Sequence, residues 1–235
     1  MFKEIIRKIA IKSGIPRFVW QASIHNEIAF WDRFLATKGL EWKDSFHLLL
    51  DSERPIEQKV TELLPEGDCT ILDVGAGVLT MLGKTAPNRR VQITAVDPLA
   101  RQYDKLLAKY DITPLVRTQY GKAEELTAIF GRNSFDLVHA RNCIDHSFNP
   151  LLAFRQMIEV VKPGNYVIAS HAPNEGINEN YVGLHQWNFF SENGEFMIGD
   201  RHGRNTNVSM ELKEYAETEC VEDKDWLVVK FRKLI

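Results

Sequence analysis

Residues 71–80 read ILDVGAGVLT. Apolar residues lead into Asp73, and Gly75 and Gly77 follow before the apolar character resumes at Val78 and Leu79. An apolar run that ends in a glycine-rich turn has the form of a buried strand bringing its backbone to a ligand, because glycine tolerates both positive φ and close approach. The same pattern predicts a helix over residues 79–85, whose first amides would be able to receive an anionic group such as a carboxylate.

Working outward, short apolar runs alternate with helical spacing from Cys69 onward. CTILDV (69–74), VQITAV (91–96), ITPLVR (112–117), FDLVHA (135–140) and YVIAS (166–170) read as five buried strands. Further helices are predicted around 99–109, 123–130 and 150–161. Strand–helix alternation of this kind implies a mostly parallel sheet with helices on both faces, the Rossmann-like doubly wound α/β class. Segments around 206–212 and 226–232 are strand-like and lack crossover helices. They suit an antiparallel pair at the sheet edge and bring the expected sheet to seven strands. Upstream, residues 54–64 read as a helix closed by Pro65-Glu66-Gly67. Residues 17–50, with Phe18, Trp20, Phe30, Trp31, Phe34, Trp42 and Phe46, read as helices with a loop near Gly39. The expected division is an N-terminal helical cap over 1–53 and a ligand-binding domain over 54–235.

The chain's 235 residues can bury a substantial core, and its 44% hydrophobic and 26% charged composition is that of an ordinary soluble globular protein. A net charge of −3 without a basic patch argues against nucleic acid as a partner. Cys69, Cys143 and Cys220 are scattered and form no CxxC, so no zinc or disulfide framework is expected and a reducing compartment fits. No apolar run has the length of a bilayer span, and MFKEIIRKIAIKSG lacks the uninterrupted apolar stretch of a signal peptide, which points to the cytoplasm. Over residues 2–12, Phe2, Ile5, Ile6 and Ile9 share a helical face beside Lys3, Arg7 and Lys8. Packing on the domain or on a second copy in an oligomer is the commoner use of such a face. Peripheral contact with the inner face of a membrane is the sharper alternative.

A second signal lies one strand on: VQITAVDP ends in Asp97, placed to accept hydrogen bonds from ribose hydroxyls. Dinucleotides ordinarily require a third glycine where this chain has Thr80. Asp73, just before the turn, suits a cationic ligand group such as the ammonium of a methionine moiety.

From about residue 54 to the end, the chain resembles the class I S-adenosylmethionine-dependent methyltransferases. DVGAG resembles their first motif, AVDP their second, QYGKAEEL the third, FDLVHARNCIDHSFNP the fourth with its following segment, and VVKPGNYVIAS the turn into the fifth strand. The resemblance implies S-adenosyl-L-methionine as cofactor. It implies that Asp73, Gly75, Ala76 and Gly77 shape the methionine and ribose end, that Asp97 holds the ribose, and that Pro98 or Leu99 flanks the adenine. Ala123 would offer an amide to the adenine. Glu124 would accept from the adenine amine, because Lys122 stands where the family often has aspartate. Leu79 stands where a further glycine is frequent. Arg141 and Asn142 open the loop that contacts cofactor and substrate.

Transfer of a methyl group to an alcohol benefits from a general base, which histidine supplies near neutral pH. Four candidates lie after the fourth and fifth strands. His146 is the first choice, oriented by Asp145; His185 is second, and His171 lies nearby in sequence. Convergence of Asp145, His146, His171 and His185 on a metal is a competing reading, but no compact ligand spacing supports it, and no metal is expected. The polar, aromatic-dotted segment 171–205 suits a sugar or other small polar hydroxylated acceptor, as in enzymes that modify bacterial surface polysaccharides. A non-catalytic cofactor-binding module of the same fold is the alternative from another class, and a dinucleotide-dependent oxidoreductase the third.

Overall fold

The computed structural model describes residues 17–40 and 45–234. The amphipathic stretch 2–12 and Trp42 lie outside the described residues. Ten strands and eight short-to-medium α-helices are described, and seven of the strands form one sheet. In chain order the large sheet contains β1 (Cys69–Val74), β2 (Val91–Asp97), β3 (Gln119–Tyr120), β4 (Phe135–Arg141), β5 (Val161–His171), β9 (Ala216–Asp223) and β10 (Trp226–Lys233). Their spatial order is β3-β2-β1-β4-β5-β10-β9. The first five strands run parallel, while β10 pairs antiparallel with both β5 and β9. The order reverses between β1 and β4, which is where a doubly wound sheet opens a crevice at its carboxyl edge.

Helices α1 (Arg17–Ala36), α2 (Ser45–Leu49) and α3 (Gln58–Thr61) precede the sheet. Helix α4 (Ala100–Lys109) follows β2, α5 (Leu126–Phe130) follows β3, and α6 (Pro150–Val160) follows β4. Asn149 caps α6 by accepting a hydrogen bond from the Leu152 amide at 3.1 Å, and Pro150 opens the helix where its missing N–H costs nothing. Strand alternation divides the core. Leu72, Val74, Val138, Ala140, Val167 and Ala169 bury on the α6 side, and Ile71, Leu137 and Ile168 on the other.

Four sequence expectations change. ITPLVR is an irregular segment and the third strand is only Gln119–Tyr120; Pro114 has no N–H to give to a ladder. The helix expected at 54–64 is confined to Gln58–Thr61, because Pro55 makes a parallel bridge to Thr85. No helix forms over 79–85. The chain there is irregular and is tied to the 54–56 segment by Ile56, whose amide donates to Thr85 O at 2.8 Å, and by Lys84, whose amide donates to Arg54 O at 2.7 Å. A Cβ on Gly83 would stand 2.1 Å from Pro55 O, so this close approach needs glycine. The partner of β10 is Ala216–Asp223, not 206–212, where β8 (Asn205–Asn207) runs into the short helix α8 (Val208–Glu211).

Much of segment 171–205 is itself ordered as sheet. After the short helix α7 (Glu175–Asn178), β6 (Trp187–Glu192) and β7 (Glu195–Asp200) join β8 in a three-stranded antiparallel sheet. Phe189 and Phe196 of this small sheet meet Phe154 of α6 and Phe231 of β10 in one aromatic cluster. That packing fixes the small sheet beside the carboxyl ends of β4 and β5.

Candidate active site

A cavity of about 610 Å³ opens over the carboxyl ends of β1, β2 and β4. Of the residues singled out in the sequence, Gly75, Ala76, Gly77, Asp97, Pro98, Leu99, Ala123, Glu124, Arg141, Asn142, His146 and His185 line it. Asp73, Asp145 and His171 do not.

The glycine turn is shaped from both sides. Gly75 and Gly77 both have positive φ, at 65° and 67°. A Cβ on Gly75 would lie 2.5 Å from Cys143 Sγ, and one on Gly77 would lie 2.7 Å from the Trp31 ring. The turn is therefore sandwiched between the loop after β4 and helix α1, and side chains at either position would fill the cradle. Asp97, only 7% exposed, supports it from below: its carboxylate accepts from the Gly77 amide at 3.2 Å and the Leu99 amide at 2.8 Å. Burial pushes its pKa up to about 7, against those two amide bonds, and the nearby Glu27 adds to the rise. The ionised form of this carboxylate would gain from any further hydrogen-bond donor brought into the cavity. Burial and Asp97 together also push the Tyr103 phenol far up.

Asp73 behaves differently from the sequence expectation. Strand parity puts it on the opposite sheet face, in register with His139 of β4. One oxygen meets His139 Nδ1 at 2.7 Å, and the other accepts from the Thr80 hydroxyl. Its carboxyl group is engaged inside the fold, where it fastens the irregular 79–85 segment to β1 and β4, and it does not line the cavity. Without a helix after the turn, the expected helix N-terminus for an anionic group is also missing, and a dinucleotide's pyrophosphate would have no such seat.

Other cavity residues have structural work of their own. Glu124 Oε1 accepts from the amides of Phe148 and Asn149, at 2.9 and 3.2 Å, and so ties the loop after β4 to the segment after β3. Burial raises its pKa against those bonds. Asn142, at φ 47°, accepts from the Ala172 amide at 3.0 Å, joining the loops after β4 and β5. Arg141 pairs with Glu57 and lies 4.8 Å over the Trp226 ring at the cavity mouth.

The second wall holds the ionisable groups. Ile144–His146 form a 3-10 turn after β4, which points Asp145 inward and leaves His146 at the cavity surface. Asp145 is 1% exposed. His185 Nδ1 lies 3.1 Å from Asp145 Oδ2 and 3.2 Å from His146 Nε2, and His146 Nε2 lies 3.5 Å from the same Asp145 oxygen. Burial alone would raise the Asp145 pKa. The charges of His146 and the other two histidines, with the hydrogen bond from His185, outweigh it and bring it down to about 2. Burial likewise opposes protonation of His185, but the hydrogen bond and charge of Asp145 win and raise its pKa. His171 is fully buried behind this group, 3.9 Å from Asp145 Oδ1, and burial lowers its pKa to about 4 despite that charge. It stays neutral and away from the cavity, which removes it from the candidates for a base in contact with substrate.

Sequence reasoning missed Glu27, Trp31, Tyr103 and Trp226 as cavity residues. The aromatic density of 17–50 was the available signal. Trp31 belongs to the core and the cavity wall at once, and its indole N–H donates to Glu27 Oε1 at 2.7 Å.

Residues 72–169 match a family model described as a methyltransferase domain. No curated protein matches the chain. Among solved structures, the CurJ carbon methyltransferase is 15% identical with a TM-score of 0.52, over 75% of this chain and 52% of that one. An O-methyltransferase family protein from Burkholderia thailandensis is 12% identical with a TM-score of 0.47, over 76% of this chain and 53% of that one. A SAM-dependent methyltransferase from Methanosarcina mazei is 15% identical with a TM-score of 0.43, over 77% of this chain and 99% of that one. The chain thus spans about half the length of the CurJ structure. At these identities the likeness is one of fold.

Proposed function

We propose that this class I S-adenosylmethionine-dependent methyltransferase methylates a hydroxyl oxygen of a sugar or similar small polar acceptor, with His146 as general base. The observation that carries the reading is the pair His146 and His185 on one wall of the cavity, backed by the buried Asp145, with the glycine turn on the other wall. When bound, S-adenosyl-L-methionine supplies a methyl group on a sulfonium sulfur, an electrophile that needs only an aligned nucleophile.

The chain's residues divide the remaining work. The backbone of 75–77, opened by the two glycines, and the Asp97 carboxylate would hold the ribose end of the cofactor. Pro98, Leu99 and Ala123, which line the cavity, would flank the adenine. An alcohol must lose its proton as its oxygen attacks, and an imidazole takes it readily. His146 Nε2 is turned to Asp145 and His185, so the proton is received at Nδ1, 4.0 Å from Glu27 Oε2. Asp145, ionised across the neutral range, and Glu27 stabilise the imidazolium that results.

A sugar is supported by the lining of the cavity, to which His185 and Leu184 of the 171–205 segment contribute along with Trp226 and Arg141. Aromatic faces beside polar side chains suit hydroxyl-rich ligands. The test is methyl transfer from labelled cofactor to a panel of sugars and phenols, with the products fragmented in the mass spectrometer. Methylation on oxygen that is lost in His146→Gln, while cofactor binding persists, is the expected result. Methylation on carbon or nitrogen would replace the acceptor class.

A further inference from the structure

We infer that Asp145, His146 and His185 form a binding site for one divalent transition-metal ion of the zinc type, on the acceptor side of the cavity. Asp145 Oδ2, His146 Nε2 and His185 Nδ1 are mutually 3.1, 3.2 and 3.5 Å apart. Zinc bonds of about 2.0–2.1 Å at tetrahedral angles place ligand atoms roughly 3.3–3.4 Å from one another. The triangle therefore already has the dimensions of one face of a zinc tetrahedron. Among the described residues, no other group of three such side chains converges in this way.

The chemistry of the cluster asks for something at its centre. Three atoms that can each offer a lone pair face one point. A single cation can draw on all three at once. The donor set, two imidazoles and one carboxylate with a fourth position open to the cavity, is that of a catalytic rather than a closed structural zinc site. The surroundings fit too. His146 turns its other nitrogen towards Glu27, whose carboxylate at 4.0 Å adds negative charge beside the ring. Asp145 Oδ1 is buried without a hydrogen-bond partner among the described residues, and His171 stands 3.9 Å behind it.

Occupancy has a definite consequence, which rests on the hydroxyl-acceptor reading above. A bound ion takes the Nε2 lone pair of His146 and replaces the imidazole route with direct polarisation of an acceptor oxygen at the open position. The base mechanism belongs to the metal-free enzyme. Metal binding itself does not depend on that reading, so the two can fail separately.

Chelator-stripped full-length protein titrated with zinc chloride in a calorimeter should bind one equivalent and release protons, seen as heat that varies with the buffer. His146→Gln and His185→Gln should each weaken binding by more than about tenfold, whereas His47→Gln, on exposed α2, should not. Cobalt in place of zinc should give the visible bands of tetrahedral nitrogen–oxygen coordination, without thiolate charge-transfer bands. Absence of stoichiometric binding, or binding kept in both cavity variants, overturns the site. Circular dichroism on each variant separates a lost ligand from a lost fold. Methyl transfer by the stripped enzyme is measured alongside, and its loss would count against the base mechanism only.

Discussion

The two walls of the cavity are built on opposite principles. The wall formed by the ends of β1 and β2 is made of backbone: two glycines at positive φ, a pair of amides on Asp97, and an indole laid against the turn. The wall formed by the loops after β4 and β5 is made of ionisable side chains drawn from positions 39 and 40 residues apart. The first is suited to holding a ligand of fixed shape. The second is suited to moving a proton or gripping a cation. Binding and chemistry should therefore separate under mutation, each following its own wall.

The sharpest break would come from His146. His146→Gln should lower turnover by about 10²–10⁴-fold and leave cofactor affinity nearly unchanged, as steady-state rates and calorimetry would show. Near-normal turnover with collapse in His185→Gln would move the base along the same wall.

Asp73 tests whether an acidic residue of the strand–turn motif belongs to the ligand or to the fold. Asp73→Ala strands His139 and the Thr80 hydroxyl in a buried setting and should cost about 3 kcal/mol of unfolding free energy in urea. Cofactor affinity of the folded variant should stay within a few-fold of the parent. A large loss of affinity at unchanged stability would return Asp73 to the binding wall.

Asp97→Ala should show the reverse, losing roughly 1.5–3 kcal/mol of cofactor affinity through charge-assisted bonds to ribose. Its pKa is raised from 3.8 to about 7, so the folded protein holds a proton that the unfolded chain has released between those values. Unliganded stability attributable to Asp97 is thus greatest near pH 4 and falls as pH rises towards 7. Ligand hydroxyls favour the ionised form, so cofactor affinity should climb over the upper part of that window. Asp97→Asn should flatten both profiles.

The smallest effect should come from Glu27→Gln. Its carboxylate lies 4.0 Å from His146, and both side chains are about one-fifth exposed. A drop in turnover of a few-fold is expected in steady-state rates. Unchanged turnover would detach α1 from the chemistry at His146.

The binding wall was largely legible because its parts are contiguous. ILDVGAGVLT and VQITAVDP each carry strand, turn and strand-end acid within ten residues. Short-range patterns nevertheless misled where packing overrode them. Residues 79–85 have helical spacing, yet the 54–56 backbone packs so closely on Gly83 that the chain follows an irregular path against it. ITPLVR has strand-like residues, but Pro114 cannot join a ladder. The role of Asp73 was hidden because local reading does not show that strand parity turns it towards His139. On the chemical wall, His146 and Asp145 were visible as candidates, but the dimensions of their group with His185 depend on how the small sheet seats residue 185. The aromatic cluster of Phe154, Phe189, Phe196 and Phe231 sets that distance, and no linear spacing encodes it.

Trp31 gives the enzyme an optical handle. Its indole lies against Gly77 and donates to Glu27, so it touches both walls' vocabulary, the bent backbone of one and the carboxylate beside the other's imidazole. Indole emission responds to the polarity and the quenching groups around the ring. A nucleoside entering over the turn displaces water from its edge, and a proton arriving at His146 changes the field around Glu27. Unlabelled protein in a stopped-flow fluorimeter should therefore show a phase that scales with cofactor concentration, and Trp31→Phe should diminish it while the cavity-mouth indole of Trp226 remains.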